Sequence, residues 1–306
     1  MKTAVLLIGF GGPRHASEIR PFLESVLEGV KIPEQRFNEV LRHYEAVGGT
    51  SPYNAAVESQ RAALEAHLKK AGKNIPVFAA YRHSTPSFQE AFAVLKKDGY
   101  EKVIGFVLSP LRSFASFGKY AEKIEEAGKK AAAGAVKVLY TPPFYDEPGF
   151  VKAQSEKVKE ALRSVPAYDA ETAHFLFTAH SIPLTMDEEY SIQFLDSAFA
   201  VSHELGLLHW SVAYQSRSGN PHEPWLGPDV LKAVESLDTA QFKNVVVVPV
   251  GFACDNVELT YDLDIEVRKA AGARGLGYFR SSPVSDAPSF IAMMARQILG
   301  VSNVNN

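Results

Sequence analysis

The stretch NVVVVPVGFACDNVELTYDLDIEVRKA, residues 244–270, decides the fold. Its first part, NVVVVPV (244–250), is a β-branched run without polar alternation, which predicts a strand buried on both faces of a parallel sheet. Gly251 interrupts it. The segment beyond sets Glu258, Asp262 and Glu266 at i, i+4 and i+8, predicting three carboxylates along one face of an α-helix. Strand, short turn and helix make half of a βαβ unit, so the chain is expected to belong to the α/β class.

Working outward, the same alternation recurs. The second half carries further apolar runs at AHFLFTA (173–179), HWSVAYQ (209–215) and LGYFR (276–280). The first half has TAVLLIGF (3–10), IPVFAAY (75–81), KVIGFVL (102–108) and VKVLY (136–140). The connections repeat as well: GFGGP pairs with AHSIP, AYRHSTPS with AYQSRSGNP, and YTPPFYDEPGFVKA with FRSSPVSDAPSFIA. Such self-similarity predicts two similar Rossmann-like lobes, each a four-stranded parallel sheet flanked by helices. The boundary is expected near Phe150, giving an N-terminal lobe at 1–150 and a C-terminal lobe at 151–306. A helix over VKAQSEKVKEALRSV (151–165) leads from one to the other, stopped by Pro166.

Composition narrows the function. With 306 residues, 46% hydrophobic and a formal net charge of -3, the chain is an ordinary globular protein. It has no block of basic residues of the kind that binds nucleic acid. One cysteine, Cys254, allows neither an internal disulfide nor a cysteine cluster for zinc or iron–sulfur. The apolar runs fall short of the ~20 residues a spanning helix needs. The opening MKTAVLLIGFGGP reads as a buried first strand rather than a signal peptide. A cytoplasmic monomer is the expectation, with peripheral membrane contact through loop residues such as Phe114 and Phe117 left open.

In open parallel sheets, ligands bind beyond the carboxyl ends of the strands, and two such lobes would form a cleft where those ends converge. His180 has that address. It is either a ligand-site imidazole or a hydrogen-bonded structural one. The Glu258, Asp262 and Glu266 ladder is either a solvated face offset by Arg268 and Lys269 or a path for a divalent cation such as Fe(II), with Glu258 innermost. The long loop QSRSGNPHEPWLGPDV (215–230) carries Trp225, suited to stacking on a flat ligand or to plugging a gap. Arg82, His83 and Arg112 supply a cationic rim fit for ligand carboxylates. GFGGP lacks the spacing of a nucleotide-binding loop, and its glycines suit close approach to a flat ligand.

Together these segments resemble the ferrochelatase family over essentially the whole chain. FTAHSIP is similar to the family's histidine motif, YEAVGGTSP to its Tyr-x-x-Ile-Gly-Gly-x-Ser-Pro loop, and QSRSGNPHEPWLGPD to its Gln-Ser…Pro-Trp-Leu-Gly-Pro segment. VPVGFACDNVELTYDLDIE resembles the signature that carries the family's glutamate. The resemblance implies a chelatase-like fold and insertion of ferrous iron into a porphyrin, protoporphyrin IX or coproporphyrin III, with iron as substrate and no tightly bound cofactor. It implies His180 and Glu258 as catalytic and metal-handling residues, with Asp262 and Glu266 on the metal path. Phe10, Tyr44, Ser51, Arg82, His83, Arg112, Gln215, Ser216 and Trp225 are implied porphyrin contacts, and Asp255 falls in the same region. Asn256 departs from the family, which often has histidine there. A chelatase for another metal or tetrapyrrole, and a non-catalytic porphyrin or heme carrier, remain as alternatives.

Overall fold

The eight apolar runs form eight parallel strands in a computed structural model that describes residues 1–28, 34–131, 133, 136–218 and 222–304. Gly219, Asn220 and Pro221 of the 215–230 loop lie outside the described residues. The strands are β1 (Thr3–Gly9), β2 (Val77–Tyr81), β3 (Lys102–Val107), β4 (Lys137–Tyr140), β5 (Ala173–His180), β6 (Trp210–Gln215), β7 (Asn244–Val248) and β8 (Gly277–Arg280). Their order is β2-β1-β3-β4 in one sheet and β6-β5-β7-β8 in the other, the same topology twice. The central strands β1, β3, β5 and β7 are almost wholly buried, which is why they lack polar alternation.

The helices are α1 (Ile19–Leu27), α2 (Glu34–Ala46), α3 (Tyr53–Lys70), α4 (Phe88–Lys97), α5 (Lys119–Lys130), α6 (Pro148–Leu162), α7 (Tyr190–Leu205), α8 (Val230–Glu235), α9 (Arg268–Ala273) and α10 (Pro288–Val304). In the first sheet, Leu6, Ile8 and Val103 meet Phe88, Phe92 and Leu95 of α4 and Tyr120 and Ile124 of α5. In the second, Leu176, Val245 and Val247 meet Val230 and Val234 of α8 together with Leu259, Leu263 and Val267. Burial of these side chains drives both layers together. Among the described residues no helix is long and apolar enough to cross a membrane.

Three expectations change. The carboxylate ladder lies not on an α-helix but largely on a π-helix, Leu259–Val267, continued by α9. The helix expected over 151–165 begins earlier, at Pro148, because proline's fixed φ suits a first helical turn, and it ends at Leu162, before Pro166. The compact units also differ in extent from 1–150 and 151–306. One comprises Met1–Leu108, Ser116–Pro142 and Ile291–Asn306, and the other Ser109–Ala115 and Pro143–Phe290. The greater part of α10 belongs to the first unit, where the buried Lys102 Nζ donates to the Ser302 carbonyl at 3.1 Å.

Candidate active site

Strand β5 ends at His180, the point where its pairing with β6 closes opposite Gln215. The residue is held through both its ring and its backbone. Its Nδ1 bonds the Ser181 carbonyl, so that nitrogen carries a proton and Nε2 faces outward. The Tyr190 hydroxyl donates to the His180 carbonyl at 2.9 Å. Nε2 lies 3.6 Å from Glu258 Oε1, an ion-pair distance longer than a hydrogen bond. The two side chains keep 30% and 46% of their surface, so both are reachable by a small substrate.

Burial alone would favour neutral imidazole, but the Glu258 carboxylate outweighs it, helped by the Ser181 carbonyl and Asp262, and holds His180 up at about 9. For Glu258, burial pushes upward and the facing imidazolium pulls further down, leaving its carboxyl below the ordinary value. Near neutrality the pair is therefore imidazolium and carboxylate. Asp262 differs. Burial, with Glu258 and Glu266 nearby, pushes it up to about 7 against the Ser216 hydroxyl, which donates to its Oδ2. Glu266 is also raised, by burial and then by Asp229, with Lys269 opposing. The site thus offers one firmly ionised carboxylate and one that titrates near neutrality.

Asn256 supports this arrangement from below. Its Oδ1 accepts the Leu259 amide at 2.9 Å, capping the helical segment that starts just before Glu258. Gln215 and Ser216 close the end of β6, and Ser216 adopts a left-handed φ of 61°, an uncommon backbone for a non-glycine residue. The Trp225 loop lies along the segment that follows His180. Leu226 N–H donates to the Ile182 carbonyl at 3.0 Å, Leu184 N–H to the Pro224 carbonyl at 3.0 Å, and Ser181 Oγ to the Leu226 carbonyl at 2.8 Å. Among the described residues the buried Trp225 Nε1 has no hydrogen-bond partner. Arg112 N–H donates to Gln193 Oε1 at 2.8 Å, and burial lowers its guanidinium's proton affinity against Glu189.

In the first unit the expected residues gather around Phe10. Its ring stands 4.7 Å from His83 and 6.1 Å from Phe22, which is 5.9 Å from Tyr44. His83 Nδ1 bonds Ser25 Oγ at 2.9 Å, and burial, then Arg82, push its imidazole down to about 4. Ser51 packs on Gly12, where an added Cβ would stand 2.6 Å from Ser51 Oγ. Only glycine permits that approach. Arg82 is not a free carboxylate clamp, because its Nη2 donates to Glu28 Oε1 at 2.7 Å. Nothing in the sequence marked Glu28, which sits beyond α1 with a left-handed φ of 48°.

The structure thus joins His180 with Glu258 and Ser216 with Asp262, and sets Glu266 near Asp229. Among the described residues no three His, Cys, Asp or Glu side chains converge on one metal point. Asp255 is held by Arg280 Nη1 at 2.9 Å. Sequence reasoning missed Arg280, Asp264 and Tyr190, although Arg280 ends a strand and so occupied a searchable address.

Comparison with known proteins bears on fold and family. SirB from Bacillus subtilis, solved with Fe3+, superposes with a TM-score of 0.61 at 16% identity, covering 100% of this chain and 98% of that one, a likeness of fold. A ferrochelatase from Rhodopirellula baltica is 35% identical over 292 residues, 94% of this chain and 83% of the relative. A coproporphyrin III ferrochelatase from Mycobacterium leprae is 33% identical over 300 residues, 96% and 88% of the two chains. The sequence matches the ferrochelatase family over residues 2–300, and the chain belongs to that family.

Proposed function

We propose that Fe(II) enters the porphyrin at His180 and Glu258, and that coproporphyrin III is the preferred macrocycle. The chain is a ferrochelatase of heme biosynthesis, an enzyme whose substrates are a porphyrin and ferrous iron. The observation that carries the site assignment is the 3.6 Å pair at the end of β5, reachable yet built on two rigid elements. The choice of porphyrin rests on relatives named for coproporphyrin III.

Insertion exchanges two pyrrole N–H protons for one dication, so the site has to receive protons and attract a cation at once. Glu258, the firmly ionised carboxylate, attracts Fe(II). An arriving dication disfavours the neighbouring imidazolium, which gives its Nε2 proton to solvent and then accepts one pyrrole proton at that atom, while the second pyrrole proton goes to the Glu258 carboxylate as the metal passes to the macrocycle. Asp262 and Glu266 extend the acidic route. Phe10, Tyr44, Ser51, Arg82, His83, Gln215, Ser216 and Trp225 are proposed porphyrin contacts on the strength of the motifs, with Arg112 toward its carboxylates and the Arg82 guanidinium held by Glu28.

The test is anaerobic insertion of Fe(II) into coproporphyrin III and protoporphyrin IX by the parent, His180→Ala and Glu258→Gln. The expected result is faster turnover with coproporphyrin III and a loss of about 100-fold or more in each variant. Folded variants that match the parent would refute the site, and a preference for protoporphyrin IX would refute the choice of macrocycle.

A further inference from the structure

The nine-residue π-helix Leu259–Val267 is the least regular element near the site, and long π-helices need an external hold. Its apolar side has one: Leu259, Leu263 and Val267 are fully buried in the core of the second unit. Its polar side is held by Arg280. That guanidinium forks onto Asp264, with Nε to Oδ1 at 2.8 Å and Nη2 to Oδ2 at 2.7 Å, while Nη1 reaches Asp255 Oδ1 at 2.9 Å. Asp255 precedes Glu258 by three residues, and Asp264 follows Asp262 by two. One planar cation thus brackets both site carboxylates.

Arg280 is itself rigidly placed. It ends β8, where it pairs with Val247 of β7, and its side chain is only 13% exposed. A fork of this kind fixes direction as well as distance, which a lysine cannot do. Arg268 adds a longer contact to Asp264, 3.8 Å, from a side chain 57% exposed.

The duplicated topology supplies an internal control. Register matches Arg280 with Tyr140 of the first sheet, since Val247 pairs with Arg280 as Gly105 pairs with Tyr140. Counting from the starts of β3 and β7, Ser113 answers Asp255 and Glu122 answers Asp264. The first sheet's equivalent segment also contains a π-helix, Phe114–Gly118, but it is five residues long. Where the arginine and its first aspartate are missing, the wide-turn segment is short.

We propose that Arg280 is a positioning residue for iron insertion, its fork onto Asp264 and bond to Asp255 setting where the long π-helix carries Glu258 and Asp262. This rests on the assignment of Glu258 to metal handling. The test uses the full chain with Arg280→Lys, Arg280→Ala and Asp264→Asn, each checked by circular dichroism and thermal melting. Steady-state kinetics varies Fe(II) and porphyrin separately, with Glu258→Gln run in parallel. The expected result is a KM for Fe(II) raised about 10- to 100-fold with the KM for porphyrin unmoved, and partial recovery of Arg280→Ala by added guanidinium ion. Should Arg280→Ala fail to fold, the lysine and asparagine variants decide. Folded variants with the parent's KM for Fe(II), or a fall in kcat alone that follows lost folded protein, overturn the proposal. If Glu258→Gln is impaired and the Arg280 variants are not, only the positioning role fails; if Glu258→Gln behaves as the parent, the metal assignment falls and this role with it.

Discussion

Replacing Gly251 by alanine should damage both stability and turnover. A Cβ there would stand 2.7 Å from Ala179 Cβ, 2.8 Å from Ala179 Cα and 3.3 Å from the Thr178 carbonyl oxygen. Carbon atoms settle at about 3.5–4.0 Å, so the shortfall is roughly 1 Å. Ala179 cannot yield alone. It is fully buried, pairs with Tyr214 of β6, and its neighbour Thr178 accepts the Gly251 amide at 3.1 Å. Either the end of β5 or the turn after β7 has to move, which for overpacking of this kind costs about 1–3 kcal/mol. Because His180 is the next residue after Ala179, a displacement of ~1 Å reaches the imidazole and lowers insertion by about 100-fold. Gly300→Ala in α10 is the matched control, since among the described residues nothing beyond its chain neighbours and its own helix backbone lies within 4 Å of the added Cβ. Melting temperature and anaerobic insertion rate, measured on both variants, check the reasoning. A Gly251→Ala protein with the parent's melting temperature and rate would show that the backbone contact is not the constraint derived from it.

Two further outcomes follow from single side chains. His174 is buried in β5, its Nε2 bonded to Ser211 Oγ at 2.8 Å, and burial, with His209 second, pushes it down to about 4. Its folded value is depressed below the unfolded ~6.5, so its contribution is complete above pH ~6.5, falls as pH drops toward 4, and is spent below that; at pH 5 the loss is about 2 kcal/mol. Urea midpoints of the parent and His174→Gln compared across that range should converge as pH falls, and parallel curves would contradict the neutral buried imidazole. Asn256→Ala removes the acceptor for the Leu259 amide and should lower stability by about 1 kcal/mol, read from the urea midpoint; no change would mean the cap is redundant.

The strands were legible because each is a short run of buried β-branched or aromatic residues, and hydrophobic period is the strongest signal a single chain carries. The duplication was legible for the same reason. The π-helix was not, because Leu259, Leu263 and Val267 repeat every four residues and fit an α-helical face equally well. Its polar side is held by Arg280, sixteen residues beyond Asp264, and such a long-range contact leaves no local trace. Glu28 illustrates the same limit. An acid after an amphipathic helix is unremarkable until folding brings Arg82 to 2.7 Å and takes that guanidinium out of the set of free cations.

The repeated topology also places different residues at equivalent positions of the two sheets. Strand one ends before Phe10 in the first sheet and at His180 in the second, two positions matched by GFGGP and AHSIP. Ser116 and Glu258 lie equally far past the starts of β3 and β7, and Tyr140 answers Arg280. At each pair the second sheet has the residue that is charged near neutrality. Around Phe10 the first unit instead gathers Phe22, Tyr44 and a His83 kept neutral by burial. An imidazolium facing a carboxylate is the equipment for moving protons and a dication, whereas neutral rings around a glycine loop are equipment for a flat apolar surface. Equivalent strand ends of the duplicated topology thus carry different sets of side chains.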